Sequence, residues 1–238
     1  MKEYSAYNYK RFKKRRKIFP YIIVALSLCF VLFVVNLFLG LVTFGKKEKA
    51  FELPGATFWA QASEEFPSKA TALNRSREVQ SNGGAGYVLQ QPWVVVNEVY
   101  AVEVEGAKKF SLEPHEVYIP QKEHFECLGR VCNSFSASFE KLLGDLASFV
   151  AGNLRAREVC DRAVIRYNEL NALRIELDAI QSNTQSVFYA ELMLALNRQL
   201  LSIYVLSTEA NNPNFIHEIK FAACGVIFAY YDFLNTIQ

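Results

Sequence analysis

Three residues in the chain have the chemistry of a metal site: His124, Cys127 and Cys132, in an H-x2-C-x4-C run. An imidazole and two thiolates suit zinc, but zinc takes four donors at regular short spacings. No fourth ligand lies near in sequence, and helical residues three apart meet by default. The run therefore reads as helix neighbours, and no metal or cofactor is expected. His115 and His217 stand alone, and the chain has no Gly-x-Ser-x-Gly, Walker loop or H-E-x-x-H. The adjacent acids Glu64 and Glu65 would point to opposite faces of a strand and could not work as a pair. The expectation is a binding protein, not an enzyme.

Five cysteines leave a question of redox state. Cys29 falls in an apolar segment. Cys127, Cys132, Cys160 and Cys224 could form two bridges with any of three connectivities. Their irregular spacing fits free, buried thiols equally well, since an unpaired cysteine behaves as a small hydrophobe.

The element that places every other residue is near the N-terminus. A basic cluster at residues 10–17 runs into an uncharged apolar stretch at residues 18–44. At 1.5 Å per residue, about 20 residues cross a ~30 Å hydrocarbon core. A cleaved signal peptide has an apolar region of only roughly 7–15 residues. Residues 18–45 are therefore read as a single transmembrane helix. The tail, residues 1–17, holds eight basic residues and one acid, Glu3, whereas the far flank carries Lys46, Lys47 and Lys49. That asymmetry predicts a cytoplasmic N-terminus at the cell membrane, with the rest of the chain outside it. The bilayer is thus the first expected partner, its anionic lipids touching the tail. The formal net charge is only +2, so the remainder is mildly acidic and nucleic acid is not an expected partner.

Beyond the membrane segment, residues 46–55 read as a linker with a Pro54-Gly55 breaker. Residues 56–120 read as an α+β domain of short strands around one helix. Strands are predicted at residues 57–62, 87–89, 93–96, 99–104 and 116–120. The helix is predicted over 68–81, with Pro67 at its start and Gly83-Gly84 at its end. Residues 121–238 read as an all-α bundle. Stripes at 3–4 spacing run through Phe135, Phe139, Leu142 and Leu146, through Val159, Ala163, Leu170 and Leu177, and through Leu192, Leu196, Leu200 and Ile203. The second stripe, about three heptads long, is as short as a dimerising coiled coil can be, and an intramolecular bundle is the preferred reading. A last helix is predicted to start at Asn212-Pro213. Its uncharged run, residues 221–231, is too short to span a bilayer and fits a buried helix.

The order strand, helix, Gly-Gly, strand, strand resembles the SPOR domain, a peptidoglycan-binding module of bacterial envelope proteins. Trp59-Ala60-Gln61-Ala62-Ser63-Glu64-Glu65-Phe66 is similar to that family's first strand, with Ser63 in place of its glycine and one extra residue before Phe66. Ala72 and Leu73 stand where the family's helix carries Ala and Leu, and Gly83 where it ends in Gly. Tyr100-Ala101-Val102-Glu103-Val104-Glu105-Gly106 resembles its later Tyr-x-Val-x-Val-Gly strand. The match spans roughly residues 56–106. The family's second helix is absent or reduced to residues 108–113.

The resemblance implies a SPOR-like sheet with helix on one face and noncatalytic binding of peptidoglycan glycan, at division or sporulation septa. It carries a glycan contact onto Gln61. Trp59 shares the face of Gln61 by strand alternation, and Tyr100 joins them from a neighbouring strand. Ala60 and Ala62 are expected to pack under the helix, leaving an aromatic ring to stack on sugar and an amide to read hydroxyls. In the competing reading Trp59 packs against the helical half. The helical half supports an alternative function, a membrane-anchored envelope scaffold that docks another envelope or division protein.

Overall fold

The computed structural model describes residues 50–238, apart from Gln91, Gln185 and Gln238. The basic tail, the proposed membrane helix and Cys29 lie outside the described residues. No helix among the described residues is long and apolar enough to cross a membrane. Residues 50–238 form one compact unit, an α+β region followed by a four-helix bundle.

Strands β1 (Phe51–Leu53) and β2 (Ala56–Ala62) open the unit, followed by helix α1 (Lys69–Ser81). Strands β3 (Tyr87–Leu89), β4 (Val94–Tyr100), β5 (Lys108–Leu112) and β6 (His115–Val117) complete the α+β region. Four strands make an antiparallel sheet in the order β3-β4-β2-β5, and β1 pairs with β6. The two sheets share one ladder. Ala56 faces Leu112 in one and Leu53 faces His115 in the other, with the same register on either side of a corner. Pro54-Gly55 and Glu113-Pro114 make that corner by withholding donors and bending the chain. A Cβ on Gly55 would meet the Leu112 carbonyl oxygen at 2.4 Å, so only glycine lets the strands turn together there.

Several local expectations change. The residues read as two strands, 93–96 and 99–104, form the single strand β4, which ends at Tyr100. Asn97 and Glu98 looked like a break, but both find partners in the folded protein: Asn97 bonds Gln61, and Glu98 accepts from Lys220 and Tyr100. Residues 108–112, read as the remnant of a helix, form strand β5, paired with β2 along its length. Phe51 and Leu53, read as linker, are buried in β1.

Helix α1 begins one residue after Ser68, whose hydroxyl accepts from the Thr71 N–H at 3.3 Å. It ends where the Gly83 and Gly84 N–H groups turn back to the Gln80 and Val79 carbonyls. Its buried residues are Ala72 and Ser76, and the Ser76 hydroxyl donates to the Gly86 carbonyl oxygen at the start of β3.

A short 3-10 turn (Lys122–His124) leads into the bundle, α2 (Phe125–Val150), α3 (Ala156–Thr184), α4 (Val187–Thr208) and α5 (Phe215–Ile237). Each helix packs on the next, and α5 closes the ring on α2. The stripe read from α3, including Val159, Ala163, Leu170 and Leu177, is buried inside this bundle. Helix α5 starts at Phe215 rather than at Pro213, and Asn212 accepts from the Asn214 N–H at 2.9 Å just before it.

Helix α5 also packs on β3, β4 and β5, so protein surrounds it on nearly every side. That is why residues 222–230 are buried without interruption. Phe58 of β2 marks the junction between sheet and bundle. It stacks on Phe110 at 5.2 Å and meets Phe228 edge-on at 5.1 Å, Tyr231 at 5.7 Å and Phe139 at 6.4 Å. The sheet and the helices share this single core.

The bundle holds two buried polar clusters. Asp145 accepts from Arg162 at 2.8 Å and from the buried Arg166. Gln199, with no exposed surface, donates to the Ser134 carbonyl and the Ser138 hydroxyl, and accepts from the Ser134 hydroxyl. The Gln199 cluster pairs polar groups that would be costly to bury alone, whereas in the Asp145 cluster Arg166 Nη1 is buried without a hydrogen-bond partner.

Candidate functional site

Strand alternation sorts β2 as expected: Ala56, Phe58 and Ala60 are buried on one side, with Trp59 and Gln61 on the other. The partner of the alanine face differs from expectation. Ala60 lies in the shared core with Phe58, where the bundle packs. Ala62 follows an irregularity in the β2–β4 pairing and is exposed. Helix α1 packs instead beside Gln61, on β3 and β4.

Gln61 therefore lines a cleft of about 390 Å³ with Ser63, Arg75, Asn82, Val95 and Asn97. The Asn97 amide donates to Gln61 Oε1 at 3.3 Å. Gln61 keeps both of its own N–H donors for other partners, and Asn97 keeps its carbonyl. Ser63 closes the end of β2. Its N–H donates to the Val95 carbonyl at 2.9 Å, and its hydroxyl accepts from the Val95 N–H at 3.0 Å. Arg75 sits at the mouth, paired with Glu78 at 2.7 Å, and the side chains of both are largely exposed.

Trp59 lies one step along the same face, directly across from Tyr100 on β4 and Lys109 on β5. It is half-buried, with the Lys109 ammonium 5.9 Å from its ring centroid. Tyr100 donates to Glu98 at 3.2 Å, and Lys220 of α5 holds the same carboxylate at 3.0 Å. Burial, and then the Glu98 charge, push the Tyr100 hydroxyl up to about 12. Trp59, Gln61 and Tyr100 thus share one face, with the Tyr100 hydroxyl engaged inside the protein. The cleft combines amide donors, an amide acceptor and a guanidinium, and the Trp59 indole lies two residues back along β2, outside its lining. It offers hydrogen bonds, with a ring for stacking next to it on the strand.

Asn97, Asn82 and Arg75 went unnoticed in the sequence. Asn97 carried a usable signal, a lone amide inside the run Val94-Val95-Val96-Asn97-Glu98-Val99. Arg75 and Asn82 carried none, since an exposed helix arginine and a helix-terminal asparagine are commonplace.

The histidine-cysteine run folds into structure. His124 Nδ1 lies 2.9 Å from the Tyr189 hydroxyl, and Cys127 and Cys132 are buried on α2. Among the described residues no group of three or more His, Cys, Asp or Glu is placed to hold a metal ion. Cys127, Cys132, Cys160 and Cys224 are all free and buried. Burial pushes the Cys127 thiol up to about 11 and the Cys132 thiol up to about 12.

No family model, curated protein or solved structure matches the chain.

Proposed function

We propose that the protein is a bacterial single-pass membrane protein that binds peptidoglycan glycan noncatalytically through a SPOR-like α+β region. On this reading residues 18–45 anchor the chain with its N-terminus in the cytoplasm, and the described residues lie outside the membrane. The observation that carries the binding role is the cleft between α1 and the sheet. Gln61 and Asn97 there leave two donors and one acceptor free beside the half-buried Trp59. Neighbouring sugar hydroxyls need that donor–acceptor pattern, and the apolar face of a pyranose needs a ring. The four-stranded antiparallel sheet with α1 on one face supports the likeness to the SPOR module. Strand β5 in place of a second helix, and the bundle on the other face, are where this chain departs from it. Placement at division or sporulation septa rests on the resemblance.

The test is cosedimentation of residues 50–238 with purified cell-wall sacculi. Binding that weakens in both Gln61→Ala and Asn97→Ala supports the cleft. Binding untouched by either change removes it.

A second reading, an envelope scaffold, is favoured by exposed apolar residues on α3 of the bundle, among them Ile165 and Ile175. If the full-length chain carrying Gln61→Ala and Asn97→Ala still localised and captured its partners normally, while Ile165→Glu with Ile175→Glu did not, the scaffold reading would replace glycan binding.

A further inference from the structure

Helix α4 carries a second apolar stripe, separate from the one it buries in the bundle. Val187, Leu194 and Leu201 recur every seven residues, and Ala190, Asn197 and Tyr204 stand three residues after each. That spacing sets the six in one line, a seam along the helix, too short for an extended coiled coil but enough for two helices to cross. All six are exposed, with the Tyr204 ring also resting on Tyr167 of α3 at 5.7 Å. Val187 is 75% exposed, Leu194 48%, Leu201 63% and Tyr204 51%. Leu192, Leu196 and Ile203 fill the bundle from the opposite side of the same helix, so the exposed seam is surplus to the fold. It is a continuous line rather than a scatter of single residues.

We propose that this seam is a homodimer interface in which α4 packs antiparallel on α4 of a second copy. The helix is complementary to itself in size and in charge. Setting Leu194 against the partner's Asn197 brings Val187 to the partner's Tyr204 and Ala190 to the partner's Leu201, so each small residue faces a large one. The same register places Glu191, on the flank of the seam, beside the partner's Arg198, and the dyad repeats that ion pair. Arg198 already reaches its own Asp232 at 3.3 Å, so the pairing adds a second carboxylate to a guanidinium that is half-exposed in one copy. Asn197 and the partner's Asn197 flank the dyad about 4.5 Å apart along the axis, and a polar residue at one seam position fixes register. The interface needs neither the glycan cleft nor the membrane segment, so it stands apart from the function proposed above.

The full-length chain in membranes tests the pairing by thiol oxidation. Leu194→Cys and Asn197→Cys, expressed together on differently tagged chains, should form a mixed disulfide, as should Val187→Cys with Tyr204→Cys. Val187→Cys alone should form none, because antiparallel packing holds the two copies of that residue about 25 Å apart along the axis. A Val187→Cys homodimer, or no cross-link in either mixed pair, overturns the proposal. The detergent-solubilised chain should also sediment as a dimer, and the double change Leu194→Glu, Leu201→Glu should weaken that dimer at least tenfold. These side chains are exposed in one copy, so the melting temperature of the monomer should hold. A dimer of unchanged strength in the double variant would likewise overturn the assignment.

Discussion

The two faces of strand β2 differ in what holds them. On the inner face Phe58 and Ala60 are packed against Phe110, Phe139 and Phe228, and that core runs without a break into the bundle. On the outer face Trp59 and Gln61 are half-covered, and amides, a guanidinium and an ammonium surround them. Neighbouring residues of one strand thus do different work: the inner ones join the sheet to the helices, and the outer ones line a surface that water reaches. A polar group costs little where water can still solvate it, so the outer face is where binding groups can be placed without loss of stability.

The comparison is broken most directly at Phe58. Phe58→Ala removes the ring shared by sheet and bundle and should cost about 3–5 kcal/mol in chemical denaturation. Strand and helix signals should be lost in a single transition. If the strands were lost while the helices persisted, the inner face would not be a common core.

A smaller effect is expected at Gly84, between α1 and the outer face. A Cβ there would lie 1.8 Å from Asn97 Oδ1 and 2.6 Å from Val79 Cγ1. Gly84→Ala should push Asn97 and α1 apart and cost about 1–3 kcal/mol, with weaker sacculus binding alongside. Normal binding at reduced stability would detach the cleft geometry from recognition.

Gln61→Ala sharpens the contrast by leaving the inner face alone. Its melting temperature should barely move, because surface changes usually stay within about 0.5 kcal/mol. Sacculus binding should weaken several-fold, the equivalent of losing about 1 kcal/mol of hydrogen bonding. Trp59→Ala should weaken it further by removing the ring. If Trp59→Ala instead unfolded the protein while Gln61→Ala bound normally, Trp59 would belong to the core.

An effect absent at neutral pH concerns the thiols buried by the bundle. Cys127 and Cys132 hold their protons up to about 11 and about 12 in the folded protein. The unfolded chain releases them near the ordinary thiol value of about 8.5. Between those limits the native state binds more protons, so the stability they contribute is present below the unfolded value and is lost as pH rises through the folded one. Denaturation midpoints should therefore fall above about pH 9. At neutral pH a thiol reagent should reach Cys127, Cys132, Cys160 and Cys224 only after unfolding. Rapid labelling of the native protein at these positions would contradict their burial.

Much of the fold was legible because period reports burial. The 3–4 spacing of Phe135, Phe139, Leu142 and Leu146 located α2, and the alternation at Trp59-Ala60-Gln61 located β2. Gly83-Gly84 marked the end of α1 because capping chemistry is local, whereas Pro67 pointed to a start one residue ahead of the actual cap, Ser68. Strand β5 escaped, since Lys108-Lys109-Phe110-Ser111-Leu112 alternates weakly and gains its order from pairing with β2. The Asn97-Glu98 break in β4 was misread for the same reason: the partners that keep it in the sheet, Gln61 and Lys220, are far away in sequence.

By itself, then, the sequence determined most of the residues that prefer helix or strand, which side of each element is apolar, and that Trp59 and Gln61 share a face, which the β2–β4 register then extended to Tyr100. Those follow from steric preferences and from the distribution of apolar side chains along one stretch of chain. Only the tertiary structure decided that the bundle, rather than α1, covers Ala60, that Asn97 and Arg75 join Gln61 in a cleft, and that the seam on α4 is left uncovered. Those depend on how elements far apart in sequence share a limited apolar surface, and no local pattern encodes which face meets which.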